Sequence, residues 1–215
     1  AYAKVLDLHP RALYMTVGSF YTGNHEAAVD WKAAHDPEDR LLVLDSGVAS
    51  GHLGLCAMAA ARLSMAASTP EEVLDFVRRA LDACGEILFL DKLQFLAAGG
   101  RMSRTGAFFG DVLHLKPAIK PTPSGVEKVA VVRNRKDQVD LALKTLGRAL
   151  DPDERAVLMV EHTDNLDWIE CELIPRFRQQ YPRAYVFAQQ LSLTSASHMG
   201  PGTWGVAFLQ LPELD

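Results

Sequence analysis

The sequence predicts an α/β fold with two lobes, the first of them built on a parallel sheet. Apolar runs at residues 12–17 and 41–44 alternate with a helical segment at 25–34. This alternation is typical of βαβ units around a sheet that is buried on both faces. A second long helical stretch follows through residue 65.

The next helix has a recognisable start. Thr69 can cap it, Pro70 suits the first helical position, and Glu72 completes a capping box. The spacing then predicts one apolar helical face made of Val73, Phe76, Val77, Ala80 and Leu81.

The pattern changes near residues 84–86, where we place the boundary between a lobe of residues 1–84 and a lobe of residues 85–215. In the second lobe, strands are predicted at 87–90, 126–133, 156–160, 185–188 and 205–209, and helices at 136–150 and 166–180. Gly99-Gly100 is interpreted as a break, and residues 117–125 are rich in Pro and Gly. This half is therefore predicted to be α/β as well.

Composition and charge exclude several classes of protein. The 215 residues are 48% hydrophobic with a net charge of -5 and no run of Lys and Arg, which gives no basic surface for nucleic acid. The most apolar stretch is shorter than a membrane helix requires. Three well-separated cysteines indicate neither a disulfide framework nor a zinc site, and we expect reduced thiols in a cytoplasmic protein.

The loop of residues 18–24, G-S-F-Y-T-G-N, is the first candidate site. It joins the carboxyl end of a predicted strand to a helix, which is where open α/β sheets place ligands. Hydroxyl groups and free N–H groups beside a helix start suit a carboxylate or a phosphate. Ser, Thr, Gly and Asn also make ordinary turns, so this loop alone leaves both interpretations open.

A second loop favours a different function. Residues 47–54, with Gly47, Gly51 and Gly54 after a buried strand, resemble the glycine-rich loop of an S-adenosylmethionine-dependent methyltransferase. The spacing is not G-x-G-x-x-G and no ribose-binding acid is evident, so a tight turn remains the alternative interpretation.

Residues 198–202, H-M-G-P-G, present His198 before the last predicted strand. An acyl hydrolase using Ser19 and His198 is a further alternative, although the sequence has no G-x-S-x-G elbow. The other histidines show no metal-binding spacing, so no metal is expected.

Taken in order, several segments of the chain resemble the DegV family. They are the loop at 18–24, V-L-D-S at 43–46, L-Q-F-L-A-A-G-G-R-M-S at 93–103, L-K-P at 115–117, V-V-R-N-R-K at 131–136 and H-M-G-P-G-T at 198–203. The resemblance implies a two-lobed α/β protein that binds a long-chain fatty acid and uses no cofactor. It also implies a lipid carrier rather than an enzyme, one that presents the fatty acid to a separate fatty acid kinase.

The resemblance also assigns residues. It implies that Ser19 binds the fatty acid carboxylate, that Thr22 takes the place of a serine in the loop, and that His198 is the site histidine. Thr22-Gly23-Asn24 stands where the family has S-G-T, so Gly23 is kept and Asn24 replaces the threonine, and Arg133 matches an arginine associated with the acyl-phosphate step. Four residues are candidates for the acyl tunnel, with an ordinary core role as the alternative: Phe108, Phe109, Leu113 and Leu115.

One part of the family pattern has no counterpart here. The family's opening strand and its T-S-Q-P segment, which supplies a second carboxylate ligand, do not occur in the sequence. We therefore expect the N-terminal lobe to be incomplete, either because the chain is a fragment or because it continues upstream, for example into a fused kinase.

Overall fold

The computed structural model describes residues 1–66, 69–100 and 116–211. The helices of this part of the chain are α1 (Tyr2–Leu8), α2 (Asn24–His35), α3 (Ser50–Met65), α4 (Pro70–Ala83), α5 (Gln94–Ala98), α6 (Arg135–Ala149), α7 (Leu166–Trp168), α8 (Ile174–Gln180) and α9 (Leu193–Met199). The strands are β1 (Ala12–Thr16), β2 (Leu41–Asp45), β3 (Gly85–Phe89), β4 (Lys116–Thr122), β5 (Gly125–Val132), β6 (Val157–His162), β7 (Tyr185–Gln190) and β8 (Trp204–Leu209).

The first sheet consists of β1 and β2, which pair in parallel as predicted. Thr16 lies opposite Asp45 in the register, so both strands end at the same edge. The loops that follow β1 and β2 therefore start side by side, as ligand-binding loops do in open α/β sheets.

The second sheet has six strands in the order β5-β4-β3-β8-β6-β7, and its pairs are antiparallel except for β6 with β7. Helices α6 and α8 cover one face through the largest apolar cluster. Within this cluster the rings of Phe89 and Trp204 stack with centroids 4.4 Å apart. The indole N–H of Trp204 donates to Oε1 of Gln138 at 3.0 Å, so its one polar atom is satisfied inside the core.

Helices α3 and α4 cover the opposite face of this sheet. Leu55 and Phe76 pack there with Met159 and Ala207. The predicted capping box is confirmed, since the Thr69 hydroxyl accepts from the Glu72 amide and the Glu72 carboxylate accepts from the Thr69 amide. Helices α3 and α4 belong to the lobe predicted at residues 1–84, yet they pack on strands of the second sheet. The boundary between residues 84 and 85 therefore remains a proposal.

The segment rich in Pro and Gly, for which no strand was predicted, belongs to the second sheet. Residues 117–125 form most of β4 and the turn into β5. Prolines fit in β4 because β3 pairs only with Ala118 and Ile119, which lie between Pro117 and Pro121. Pro117 still contributes its carbonyl, which accepts from Leu90 at 3.0 Å.

The helix predicted at 166–180 is present, with a π-helical turn inside it. A π-helical turn, Ile169–Leu173, separates α7 from α8, and Pro175 lies in the first turn of α8. A proline lacks the N–H of a regular helix, and widening the preceding turn removes the clash with the carbonyl four residues earlier.

In the part of the chain that the structure describes, no helix combines the length and the apolar character needed to cross a bilayer. The candidate tunnel residues Phe108, Phe109, Leu113 and Leu115 lie outside the described residues.

Candidate functional site

A cavity of about 230 Å³ lies between the loops that follow the first sheet and one end of the second sheet. Its floor is apolar and comes from β3, β4 and β5, through Leu88, Ile119, Pro121 and Val126. Its rim is polar and is made of Thr22, Asn24 and Ser50 on one side and of Ser192, Thr194, Ser195 and His198 on the other. An apolar interior with a few convergent polar groups is the usual composition of a small-molecule site.

The loop after β1 is held against the loop after β2. The Asp45 carboxylate accepts from the Ser19 amide at 3.1 Å and from the Gly47 amide at 3.0 Å. A Cβ on Gly18 would lie 2.6 Å from the Gly47 carbonyl carbon, so only glycine permits this close approach of the two backbones.

Asp45 also holds the hydroxyl group of Ser19. Burial alone would raise the pKa of the Asp45 carboxyl. Hydrogen bonds from the Ser19 hydroxyl and from the amides of Gly47 and Ser19 together lower this pKa by more, so the net shift is downward. Ser19 is not among the residues that line the cavity in the described part of the chain. Its side chain is exposed.

Tyr21 connects the same loop to the second sheet. Its phenol donates to the Thr122 carbonyl at 2.7 Å and accepts from the Thr122 amide at 2.9 Å. The side chain is 7% exposed and lines the cavity, and burial raises its pKa to about 12. This pair of hydrogen bonds fixes the distance between the loop and the apolar floor.

The start of α3 forms another part of the wall. The Glu86 carboxylate accepts from the amides of Gly51 at 2.8 Å and His52 at 3.3 Å, and from the Ser50 hydroxyl at 3.2 Å. Ser50 has a φ of +45°, a left-handed conformation that costs a non-glycine residue about 1–3 kcal/mol. The hydrogen bond to Glu86 helps to hold it there beside the cavity.

These contacts bear on the methyltransferase alternative. A ligand bound at the start of α3 would need the amide groups that Glu86 already occupies. Gly51 is needed for packing, since its Cβ would lie 2.6 Å from the Glu161 carboxyl carbon. The glycine-rich stretch at 47–54 therefore acts as a tight turn and a packing surface.

The G-G motif at residues 99–100 and the H-M-G-P-G motif at residues 198–202 meet at the His198 ring. A Cβ on Gly99 would overlap Nδ1 of His198, and a Cβ on Gly200, where φ is +80°, would overlap the ring of Phe95. The G-G and H-M-G-P-G segments are thus packed against one another through α5 and α9. Glycine at 99 leaves the space in which the His198 ring lies at the cavity rim.

The structure brings together part of the predicted site. Thr22, Asn24 and His198 line the cavity, with Gly23 in the same loop. The Thr22 hydroxyl accepts from the Asn24 amide at 3.2 Å, which orders the first turn before α2.

Arg133 lies elsewhere. It is exposed just after β5 ends, with its amide donating to the Asp137 carboxylate at 3.3 Å. Val126, which lines the cavity, is seven residues away along an extended strand, a span of about 20 Å.

Several cavity residues were not predicted from the sequence. Ser192, Thr194 and Ser195 belong to the start of α9, a helix that was not predicted. A signal was present, because Ser192 caps this helix by accepting from the Ser195 amide at 3.1 Å. Tyr21 and Ser50 were inside segments already singled out but were not assigned a role.

Comparison with known proteins places the fold. The chain superposes on the fatty-acid-binding DegV family protein from Thermus thermophilus with a TM-score of 0.85, at 24% identity, over 98% of this chain and 74% of that one. It superposes on the fatty acid kinase B3 protein from Streptococcus pneumoniae, loaded with linoleic acid, with a TM-score of 0.84, at 20% identity, over 98% of this chain and 75% of that one.

Sequence comparison gives the same family. A DegV domain-containing protein of Caldanaerobacter subterraneus is 26% identical over 191 residues, which are 88% of this chain and 67% of that protein. The chain thus spans about two thirds of the length of such relatives. The sequence model described as an uncharacterised protein of the DegV family matches residues 1–211. The chain therefore belongs to the DegV family, and its two-lobed α/β fold is the fold predicted from the sequence.

Proposed function

We propose that this chain is a cytoplasmic carrier of a long-chain fatty acid rather than an enzyme. The acyl tail lies over the apolar floor of the cavity, and the carboxylate lies at the rim near Ser19, Thr22 and His198. We further propose that a fatty acid kinase phosphorylates the bound carboxylate. Reduced cysteines persist in the cytoplasm, which agrees with the thiols of this chain.

The observation that carries the proposal is the division of one cavity into an apolar floor and a rim of hydroxyl groups and an imidazole. Each buried CH₂ contributes about 0.8 kcal/mol, so the tail of a long-chain fatty acid supplies most of its affinity. The carboxylate needs hydrogen-bond donors when it leaves water. Thr22, Ser195 and His198 are such donors on opposite sides of the rim.

The relatives support the same ligand. The Thermus protein is a fatty-acid-binding DegV protein, and the pneumococcal protein carries linoleic acid. A DegV family protein from Eubacterium eligens is loaded with heptadecanoic acid. At least 93% of this chain superposes on each of the three.

The proposed ligand is tested by loading the purified chain with oleic acid and counting bound fatty acid by mass spectrometry. We expect about one fatty acid per chain, and several-fold weaker retention in Ser19→Ala, Thr22→Ala and His198→Ala because each removes a donor. Ser64→Ala is a matched control, since Ser64 is exposed at the far end of α3 and its hydroxyl donates to Ala61. Equal retention in all variants would contradict the proposed head-group site.

We propose a separate role for Arg133, in the kinase step and not in fatty acid binding. Its exposed position away from the cavity rim fits contact with a kinase or with the transferred phosphate better than contact with the acyl chain. We expect Arg133→Ala to keep the fatty acid but to slow ATP-dependent acyl-phosphate formation by a fatty acid kinase. Arg148→Ala, an exposed arginine on α6, serves as the control. Loss of lipid in Arg133→Ala, or unchanged kinase turnover, would refute this assignment.

A further inference from the structure

Three side chains with metal-binding chemistry converge outside the cavity. His52 and Cys56 are four residues apart on α3, and Cys84 follows the last turn of α4. One ligand atom from each lies within 4.8 Å of the other two. All three are buried, with exposures of 9%, 0% and 6%.

The spacing is close to that of a bound zinc ion. Ligand atoms around a tetrahedral Zn²⁺ lie about 3.5–3.8 Å apart, given Zn–S bonds near 2.3 Å and Zn–N bonds near 2.0 Å. Side-chain adjustments of about 1 Å would therefore bring the three atoms onto one ion. Two ligands at positions i and i+4 of a helix face the same side, which makes His52 and Cys56 a half-site.

His52 is already oriented for this role. One ring nitrogen, Nε2, lies 3.0 Å from the Leu81 carbonyl oxygen, which can only accept, so this nitrogen carries the proton. The ring also hydrogen-bonds to the Cys56 thiol, so its other nitrogen, Nδ1, lies on the side of the two cysteines and can bind a metal when that thiol loses its proton. A metal-bound histidine usually donates its second N–H to a carbonyl or carboxylate in this way. Because Leu81 belongs to α4, the ring is fixed from the neighbouring helix.

The two thiols are hydrogen-bonded to each other. A hydrogen bond from Cys84, with a second contribution from His52, lowers the pKa of Cys56 to about 6. The same contact, together with burial, raises the pKa of Cys84. Metal binding releases thiol protons, so both sulfurs would bind the ion as thiolates.

We propose that His52, Cys56 and Cys84 form a zinc site that joins α3 to the end of α4. Thiolate and imidazole ligands select Zn²⁺ or Cu⁺ over harder cations. Zn²⁺ with two thiolates and a neutral imidazole has no net charge, whereas Cu⁺ would leave one negative charge. The carboxyl groups of Glu86 and Glu161 act on Cys84, so the neutral complex is the one that this buried position favours.

The site has a structural consequence for the cavity. His52 is two residues after Ser50, which lines the cavity wall. An ion held by α3 and Cys84 would fix the first turn of α3 against the second sheet. The three protein ligands leave one tetrahedral position for water. The sequence spacing concealed the site because Cys84 comes 28 residues after Cys56.

The first test uses the whole chain, stripped with a chelator under reducing conditions and reloaded with Zn²⁺ alone. We expect one zinc per chain by elemental analysis. At a free Zn²⁺ concentration about 100 times Kd, the melting temperature is expected to rise by about 5–10 °C. Cys56→Ala and Cys84→Ala should lose both effects. Cys171→Ala should keep them, since Cys171 is exposed on another helix.

A second measurement does not depend on the folding of the alanine variants. Co²⁺ in place of Zn²⁺ should give the unmodified chain a thiolate-to-cobalt charge-transfer absorption, which exposed carboxylates cannot produce. Absence of this absorption, substoichiometric zinc with an unchanged melting temperature, or stoichiometric binding of Cu⁺ with none of Zn²⁺ would overturn the proposal. Retention of zinc by Cys56→Ala would do the same.

Discussion

Tyr21→Phe tests whether the loop after β1 is held in place by the second sheet. The substitution keeps the ring and its edge contact with Phe20 but removes the hydroxyl that both donates to and accepts from Thr122. Each hydrogen bond contributes about 0.5–1.5 kcal/mol net, so the loss is expected to be about 1–3 kcal/mol. For a chain of this size that corresponds to a fall of about 2–12 °C in melting temperature.

Urea unfolding followed by circular dichroism measures this change, and lipid retention measured in parallel shows whether the cavity also loosens. Tyr185→Phe is the matched control because Tyr185 is 65% exposed. We expect the control to be unchanged in both measurements. A Tyr21→Phe variant as stable as Tyr185→Phe, with equal lipid retention, would refute the role of the Tyr21 contact.

Two further predictions concern buried groups near the site. Burial, reinforced by the neighbouring Glu86, raises the pKa of the Glu161 carboxyl, so its contribution to stability is present below about pH 4.3 and is lost as the pH rises toward the native pKa. Glu161→Gln should therefore have the same free energy of unfolding as the parent near pH 4 and a higher one at pH 8. The exposed Glu170→Gln should match the parent at both pH values. A Glu161→Gln variant whose free energy of unfolding depends on pH as the parent's does would contradict this. Gly99→Ala should lower lipid retention because its Cβ overlaps the His198 ring, while Gly147→Ala, on the exposed side of α6, should stabilise the chain by about 0.5–1 kcal/mol without affecting lipid. Normal retention in Gly99→Ala would show that the position of His198 is not important for binding.

The sequence predicted the elements whose local signals and packing agree. In α4 the capping box and the apolar face indicate the same helix, and both are found. The helix α9 has no such pattern, because Leu193 at its start is 91% exposed and the helix is held mainly by packing against α5. The strand β4 contains two prolines, and only its pairing with β3 and β5 makes it a strand. Apart from the Ser192 cap of α9, tertiary contacts determine both elements, so local patterns gave little basis for predicting them.

The site was predictable where one loop supplies the residues. Thr22 and Asn24 follow β1 directly, and parallel strands bring their loops to one edge. The partners that complete the site come from distant segments. Tyr21 meets Thr122 across 101 residues, and Glu86 reaches the start of α3 across 35. No spacing rule in a single sequence relates positions so far apart.

The central claim is that the cavity beside the loop after β1 binds one fatty acid by its carboxylate. Native mass spectrometry of the chain after incubation with oleic acid tests it directly, with oleyl alcohol, which has the same tail and no carboxylate, as the comparison. We predict one bound oleic acid per chain, weaker binding of the alcohol, and a reduced difference between the two ligands in His198→Ala. Absence of bound oleic acid, or equal binding of acid and alcohol, would contradict the account.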